Sequence, residues 1–101
     1  MGEEMNARLI VVQTSPDQVD QGVKVINERA VPGAKQIPGL VAGYWGIDRS
    51  TGKAVTLTIY DSEDSLKASE EVARELRERS VAEIPGAKIV SVENFEIVGQ
   101  V

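Results

Sequence analysis

Thr56, Thr58 and Tyr60 stand two residues apart in this 101-residue chain, in the run Val55-Thr56-Leu57-Thr58-Ile59-Tyr60. A strand projects alternate side chains to opposite faces, so three hydroxyls would share one face and three aliphatic groups the other. Such a row of hydroxyls could line a cavity for a small molecule. Tyr44 and Trp45, as aromatics of a small sheet, read as core or interface, and Asn94, between Glu93 and Glu96, as solvent-facing. What is missing narrows the chemistry: the chain has no His and no Cys. Imidazole is the commonest base near neutral pH and the commonest metal ligand. A Ser-His-Asp triad, a histidine-held haem, an ordinary zinc site, thiol catalysis and disulfides are all excluded.

The carboxylates have plain structural reasons for their positions. Asp61, Glu63 and Asp64 form an acidic cluster, but no calcium-loop spacing follows. They stand where a helix begins, and the helix dipole favours acid there. Glu93 and Glu96 fall on opposite faces of a regular strand, so they are not a catalytic pair. No metal and no cofactor is expected. Arg8 and Lys35 are isolated basic residues, expected to be solvated at the surface. A net charge of −5, with the basic residues dispersed, speaks against nucleic acid. No apolar run approaches the ~18–20 residues of a membrane span, and the start does not resemble a secretion signal. One domain over residues 1–101, soluble and cytoplasmic, is the expectation.

Two short motifs organise the chain. Val31-Pro32-Gly33-Ala34-Lys35 and Ile84-Pro85-Gly86-Ala87-Lys88 each follow a helical pattern and precede a strand-like run. Residues 1–6 read as a frayed start, and strand 1 as 8–13. A capping box at Ser15 and Gln18, with Pro16 in the first turn, opens helix 1. Val19, Val23, Ile26 and Ala30 make its apolar face, and Pro32-Gly33 is expected to stop it. Strand 2 follows from Leu40 to Asp48, a turn at Arg49-Ser50-Thr51-Gly52, and strand 3 from Lys53 to Tyr60. Asp61 or Ser62 caps helix 2, whose buried stripe would be Leu66, Ser69, Val72, Ala73 and Leu76. Glu63–Lys67, Glu70–Arg74 and Glu75–Arg79 are i,i+4 pairs on its outer side. Strand 4 runs from about Lys88 to Val98.

The order βαββαβ is the split βαβ of ferredoxin-like α+β folds. Right-handed crossovers and a tight 2–3 hairpin together require the antiparallel sheet order 4-1-3-2, with both helices on one face. Val55, Leu57 and Ile59 are assigned to the helix-packed core, and Thr56, Thr58 and Tyr60 to the other face. A two- or four-residue hairpin loop puts Trp45 opposite Thr56, and a three-residue loop puts it opposite Leu57. Both remain open at this point. Leu9-Ile10-Val11-Val12 and Leu40-Val41-Ala42 lack the alternation of a sheet with one wet face, so a second copy is expected to cover that face.

These residues also resemble a known family. Pro38-Gly39-Leu40, the hairpin Asp48-Arg49-Ser50-Thr51-Gly52-Lys53, and the run from Val55 to Tyr60 with Asp61-Ser62-Glu63 are similar to the dimeric α/β-barrel superfamily. That superfamily includes the antibiotic-biosynthesis monooxygenase-like proteins. The likeness spans most of the chain and implies a homodimer joined through its sheet faces, a dimeric α/β barrel. In haem-degrading members a Trp ends strand 3 and a haem-ligating His lies ten residues later. Here those positions hold Tyr60 and Glu70, so haem degradation is not implied. In the cofactor-free oxygenases Trp, Asn and Tyr side chains fill a pocket between sheet and helices. The resemblance therefore implies Tyr60, Trp45 and Asn94 as catalytic residues and Thr56, Thr58 and Tyr44 as ligand contacts. The ligand would be a small apolar or aromatic molecule, a phenolic or polycyclic compound. The competing expectation is a dimer that binds a small molecule or serves structurally, without catalysis.

Overall fold

The computed structural model describes residues 4–101. Of the frayed start expected over residues 1–6, residues 1–3 lie outside the described part, and Asn6 already belongs to the sheet. Four strands, β1 (Asn6–Gln13), β2 (Leu40–Asp48), β3 (Lys53–Tyr60) and β4 (Lys88–Glu96), form one antiparallel sheet in the order β2-β3-β1-β4. This is the expected 4-1-3-2 read from its other edge. Asp48 pairs with Lys53, so the hairpin loop has four residues and Trp45 stands opposite Thr56. The alternative register, opposite Leu57, is not the one adopted.

The hairpin loop holds itself together locally. Asp48 Oδ1 accepts from the Ser50 amide at 2.9 Å and from its hydroxyl at 2.6 Å. Those bonds, the Ser50 hydroxyl's first, hold the Asp48 carboxyl below the ordinary aspartate range. Gly52 closes the loop with φ +78°, and its amide donates to Asp48 O at 2.8 Å. Gly52 O in turn accepts from the Thr14 amide at 3.0 Å, which ties the hairpin to the end of β1.

Helix 1 departs from its expected course. After a 3₁₀ turn at Pro16–Gln18 it runs as α1 (Val19–Val25), widens into a π turn at Ile26–Ala30, and continues as α2 (Val31–Ala34). Pro32-Gly33 therefore lies inside the helix and does not stop it. A proline ring ordinarily collides with the carbonyl four residues back and lacks an amide to donate to it. In the wide turn just before it, the Val31 amide reaches back five residues to Ile26 O, which loosens that stretch ahead of the ring. Gly33 then allows a close crossing: a Cβ there would sit 2.6 Å from Leu76 Cδ1. An ion pair between Arg29 and Glu83, and a bond of 3.1 Å from Gln21 Nε2 to Glu83 O, join this helix to the end of the second one.

The second helical segment is broken in two, α3 (Glu63–Ala68) and α4 (Glu70–Ala82). Ser62 is its cap, accepting from the Ser65 amide at 3.0 Å. The break at Ser69 has a visible cause. Leu66 O, which in an uninterrupted helix serves the amide four residues on, accepts instead from Ser69 Oγ at 2.7 Å and Arg8 Nη2 at 3.2 Å. Leu66, Ser69 and Ala73 are buried as expected, but Val72 is 48 % exposed. The buried stripe keeps the helical spacing 66, 69, 73, 76 and 80, ending at Ser80, and Val72 lies off it. Of the three expected ion pairs, Lys67–Glu63 forms at 3.9 Å, Arg74 pairs with Glu71 at 3.6 Å and not with Glu70, and Glu75 and Arg79 are not within ion-pair distance.

The polarity of the sheet is the reverse of the expected one. Arg8, Ile10, Trp45, Thr56, Thr58 and Tyr60 face the helices, where they line a common cavity. Leu9, Val11, Tyr44, Val55, Leu57 and Ile59 therefore point to the open side. The assignment of Val55, Leu57 and Ile59 to the helix-packed core is thus corrected. Alternation marks two faces but does not say which one the helices cover, and here the apolar face is left bare.

Candidate functional site

Between sheet and helices lies a cavity of about 100 Å³. Its walls are apolar over most of their extent, with Ile10, Val25, Ile37, Leu40 and Leu76 among them. One end is polar, and four side chains make it so: Arg8, Thr58, Tyr60 and Arg77. For scale, a cavity of roughly 150 Å³ lined by aliphatic groups admits benzene. This space is smaller than that, so a single ring is the upper limit of what it could take with its walls in place.

Tyr60 anchors the polar end. It is 1 % exposed and packs with Ile37, Leu66 and Ala73, partly flanked by Leu40 and Leu76. β3 ends at Tyr60, whose side chain the alternation turns under the helices. Its Oη accepts from Arg8 Nη1 at 2.8 Å and pairs with the Thr58 hydroxyl at 3.4 Å. Arg8, on the neighbouring strand, is 2 % exposed. Besides Tyr60 it donates to Ser69 Oγ at 3.3 Å and Leu66 O at 3.2 Å, and its guanidinium carbon lies 5.3 Å from the Tyr60 ring centroid. Every one of these partners is neutral. Among the described residues, Arg8 makes no ion pair.

Arg77 completes the end from α4. Its Nη1 is buried and has no hydrogen-bond partner among the described residues. Burial, followed by repulsion from Arg8, pulls its guanidinium below the ordinary arginine range. It nevertheless stays charged, as arginine does in proteins. A second, more open groove adjoins the cavity on the Arg8 side and is lined by Glu70, Glu71, Arg74, Arg77, Val92 and Asn94.

The six residues singled out from the sequence are divided by the fold. Trp45, Thr56, Thr58 and Tyr60 line the cavity together. Asn94 stands opposite Arg8 on β4 but is exposed and borders the outer groove. Tyr44 lies on the other sheet face, 65 % exposed. Arg8 was expected at the surface and instead forms the centre of the polar end; a strand residue in phase with Ile10 and Val12 shares their burial. Arg77 was not singled out at all. Its signal is helical spacing, four residues after Ala73 and three before Ser80, both buried. Among the described residues there is no group of three His, Cys, Asp or Glu placed to hold a metal. No helix among them is long and apolar enough to cross a membrane.

No protein-family profile matches the chain. Among curated proteins it is similar to the uncharacterized protein Rv2557 of Mycobacterium tuberculosis, 28% identical over 86 residues, which are 85% of this chain and 38% of that protein. The uncharacterized protein Rv2558 of the same organism is 24% identical over 96 residues, 95% of this chain and 40% of that one. The chain thus spans about two fifths of the length of the curated relatives it matches. Among solved structures it is similar to the Streptomyces coelicolor monooxygenase from the gene ActVA-Orf6, in complex with nanaomycin D, with TM-score 0.68 at 15% identity over 98% of this chain and 91% of that one. A Nitrosomonas europaea protein of unknown function gives TM-score 0.71 at 14% identity over 99% and 95%. A dimeric ferredoxin-like protein from an uncultured marine organism gives 0.65 at 13% identity over 98% and 91%. The chain shares the fold of these structures, a ferredoxin-like α+β sheet with its helices on one face.

Proposed function

We propose that this protein is a homodimer, joined sheet to sheet, that binds a single-ring aromatic molecule in the cavity and oxygenates it without a cofactor. The observation that carries this reading is the buried Tyr60 hydroxyl, fixed by Arg8 at the polar end of an otherwise apolar cavity beside Trp45. A hydroquinone ring that ionises there gives up electrons to dioxygen. One oxygen atom then bonds to a ring carbon and the other leaves as water, so one quinol and one O₂ yield one hydroxyquinone and one H₂O. The protein's part is electrostatic: fixed donors stabilise the ring's negative charge in a site that excludes water. Thr56 and Thr58 would orient the ring, and Trp45 would pack against it.

The expected result is oxygen consumption with a single-ring hydroquinone above its rate of autoxidation, one O₂ per quinol. In Tyr60→Phe it should fall about a hundredfold, the usual loss when one such donor is removed. Uptake no faster than with heat-denatured protein would overturn the catalytic part. A second reading, binding without catalysis, is favoured by one fact: the cavity holds donors and no imidazole or thiol to act as a base.

The dimer is supported by the bare apolar face and by the dimeric neighbour of the same fold. Leu57 stands at the centre of that face, between Leu9 on β1 and Tyr44 on β2. Leu57→Glu would bring two carboxylates into the sheet-to-sheet contact, where an unpaired buried charge is costly. The expected outcome by native mass spectrometry is a dimeric wild type and a monomeric variant with unchanged far-ultraviolet circular dichroism. A monomeric wild type at micromolar concentration would sink the dimer.

A further inference from the structure

The polar end of the cavity has a surplus of hydrogen-bond donors. Tyr60 Oη spends its acceptor capacity on Arg8 and, at longer range, on Thr58. Two hydroxyl protons, those of Tyr60 and Thr58, share one bond between them, so one proton is left without an acceptor. Arg77 Nη1 is buried and unpartnered. Two guanidinium groups thus stand at one end of a small apolar space, and among the described residues no carboxylate is within ion-pair distance of either. Arg8 is 2 % exposed, and Arg77, half-buried as a residue, keeps its Nη1 out of water; a cation so placed without a counter-charge is destabilising.

We infer that the cavity is built for a ligand with one negative charge, a single-ring carboxylic acid in its ionised form, whose carboxylate Arg77 and Arg8 hold and whose ring lies among the aliphatic walls. The planar fork of an arginine matches a carboxylate in two parallel bonds, and the free hydroxyl proton offers a third. The size of the cavity limits the body to one ring. The groove outside is bordered by Glu70 and Glu71 together with Arg74, and Glu71 is paired with Arg74. Burial first, and then repulsion from Arg8, lowers the Arg77 pKa, and an anion between the two guanidinium groups would offset that repulsion.

This inference rests on the reading of the cavity as a ligand site, and the two can fail separately. The test titrates the whole protein with benzoate and with benzamide, its neutral isostere, at equal ionic strength, followed by calorimetry and amide NMR. Benzoate is expected to bind at least about tenfold more tightly, the range of one charge-assisted hydrogen bond. Arg77→Met keeps an unbranched stem in a good helix former and should cut the preference for benzoate severalfold, the remainder being held by Arg8. Its melting midpoint without ligand should equal or exceed that of the wild type, since a poorly solvated charge is gone. Equal binding of both probes to wild type, or a benzoate preference undiminished in Arg77→Met, would overturn the charge inference and leave the cavity reading standing. If neither probe binds, the cavity reading falls and takes the inference with it. Phenyl phosphate binding more tightly than benzoate would refute the choice of a monoanion.

Discussion

Tyr60→Ala is expected to cost about 4–8 kcal/mol and to lower the melting midpoint by about 16 °C or more. Two losses add. The first is the aromatic body, 1 % exposed, whose removal enlarges an existing cavity among Ile37, Leu66 and Ala73. Truncating a buried aromatic to alanine alone falls at about 3–5 kcal/mol. The second is the hydroxyl, which accepts from a buried cation at 2.8 Å. Tyr60→Phe separates the two, since it keeps the ring and removes only the acceptor. Its cost should be about 1–3 kcal/mol, the range for leaving a buried polar partner unsatisfied. Urea denaturation of the three proteins checks this. If Phe and Ala were equally harmful, the ring would contribute nothing and the packing described for the end of β3 would be wrong.

Gly52→Ala should cost about 3 kcal/mol, although its φ is no more unusual than that of Gly86. The two glycines have φ +78° and +75°, so an alanine at either carries the left-handed penalty of about 1–2 kcal/mol. They differ in surroundings. A Cβ at Gly86 would meet nothing within 4 Å, whereas at Gly52 it would lie 2.5 Å from Thr14 O and 2.7 Å from Ser15 C. Those are backbone atoms on the exit from β1 and cannot rotate away. The overlap would pry the hairpin off β1, breaking the bond from the Thr14 amide to Gly52 O and straining that from Gln13 Nε2 to Thr51 O. Gly86→Ala is expected to lose only the conformational part, about 1 kcal/mol. Comparable melting points for the two variants would show that φ, and not contact, governs the hairpin.

The fold was largely legible because its signals are local. β2, the four-residue loop and β3 lie where alternation, a glycine in the turn and β-branched residues predict them. The sheet order follows from handedness once six elements are recognised, and Ser62 was one of two expected caps. Helix 1 shows where local signals stop. The Pro-Gly of residues 32 and 33 sits inside a helix while that of 85 and 86 follows one, although their neighbouring residues are nearly the same. The first follows the π turn of Ile26–Ala30 and its Gly33 packs against Leu76, a contact that no short window contains.

The site was legible only in part, for the same reason. The hydroxyl row on β3 is a local pattern, and it does line the cavity. Arg8 reads as an isolated surface cation because its partners Tyr60 and Ser69 are 52 and 61 residues away in the chain. Apolar residues on one side of a strand ordinarily mark the side under the helices. That rule inverted the two faces of β3, since here the aliphatic side is bare and the hydroxyl side is covered. Asn94 shares Arg8's register yet stays at the rim, because β4 is an edge strand with only the outer groove above it.

The alternation along β3 binds two inheritances into one ribbon of backbone. Thr56, Thr58 and Tyr60 face the helices while Val55, Leu57 and Ile59 face away, so neighbouring codons answer to different demands. A substitution on this strand can drift on one side without touching the other. An insertion or deletion of a single residue has no such freedom, because it turns every following side chain to the opposite face. Length changes in descendants of this chain should therefore collect in the loop of residues 49–52 and at the termini, and β3 should keep its eight residues.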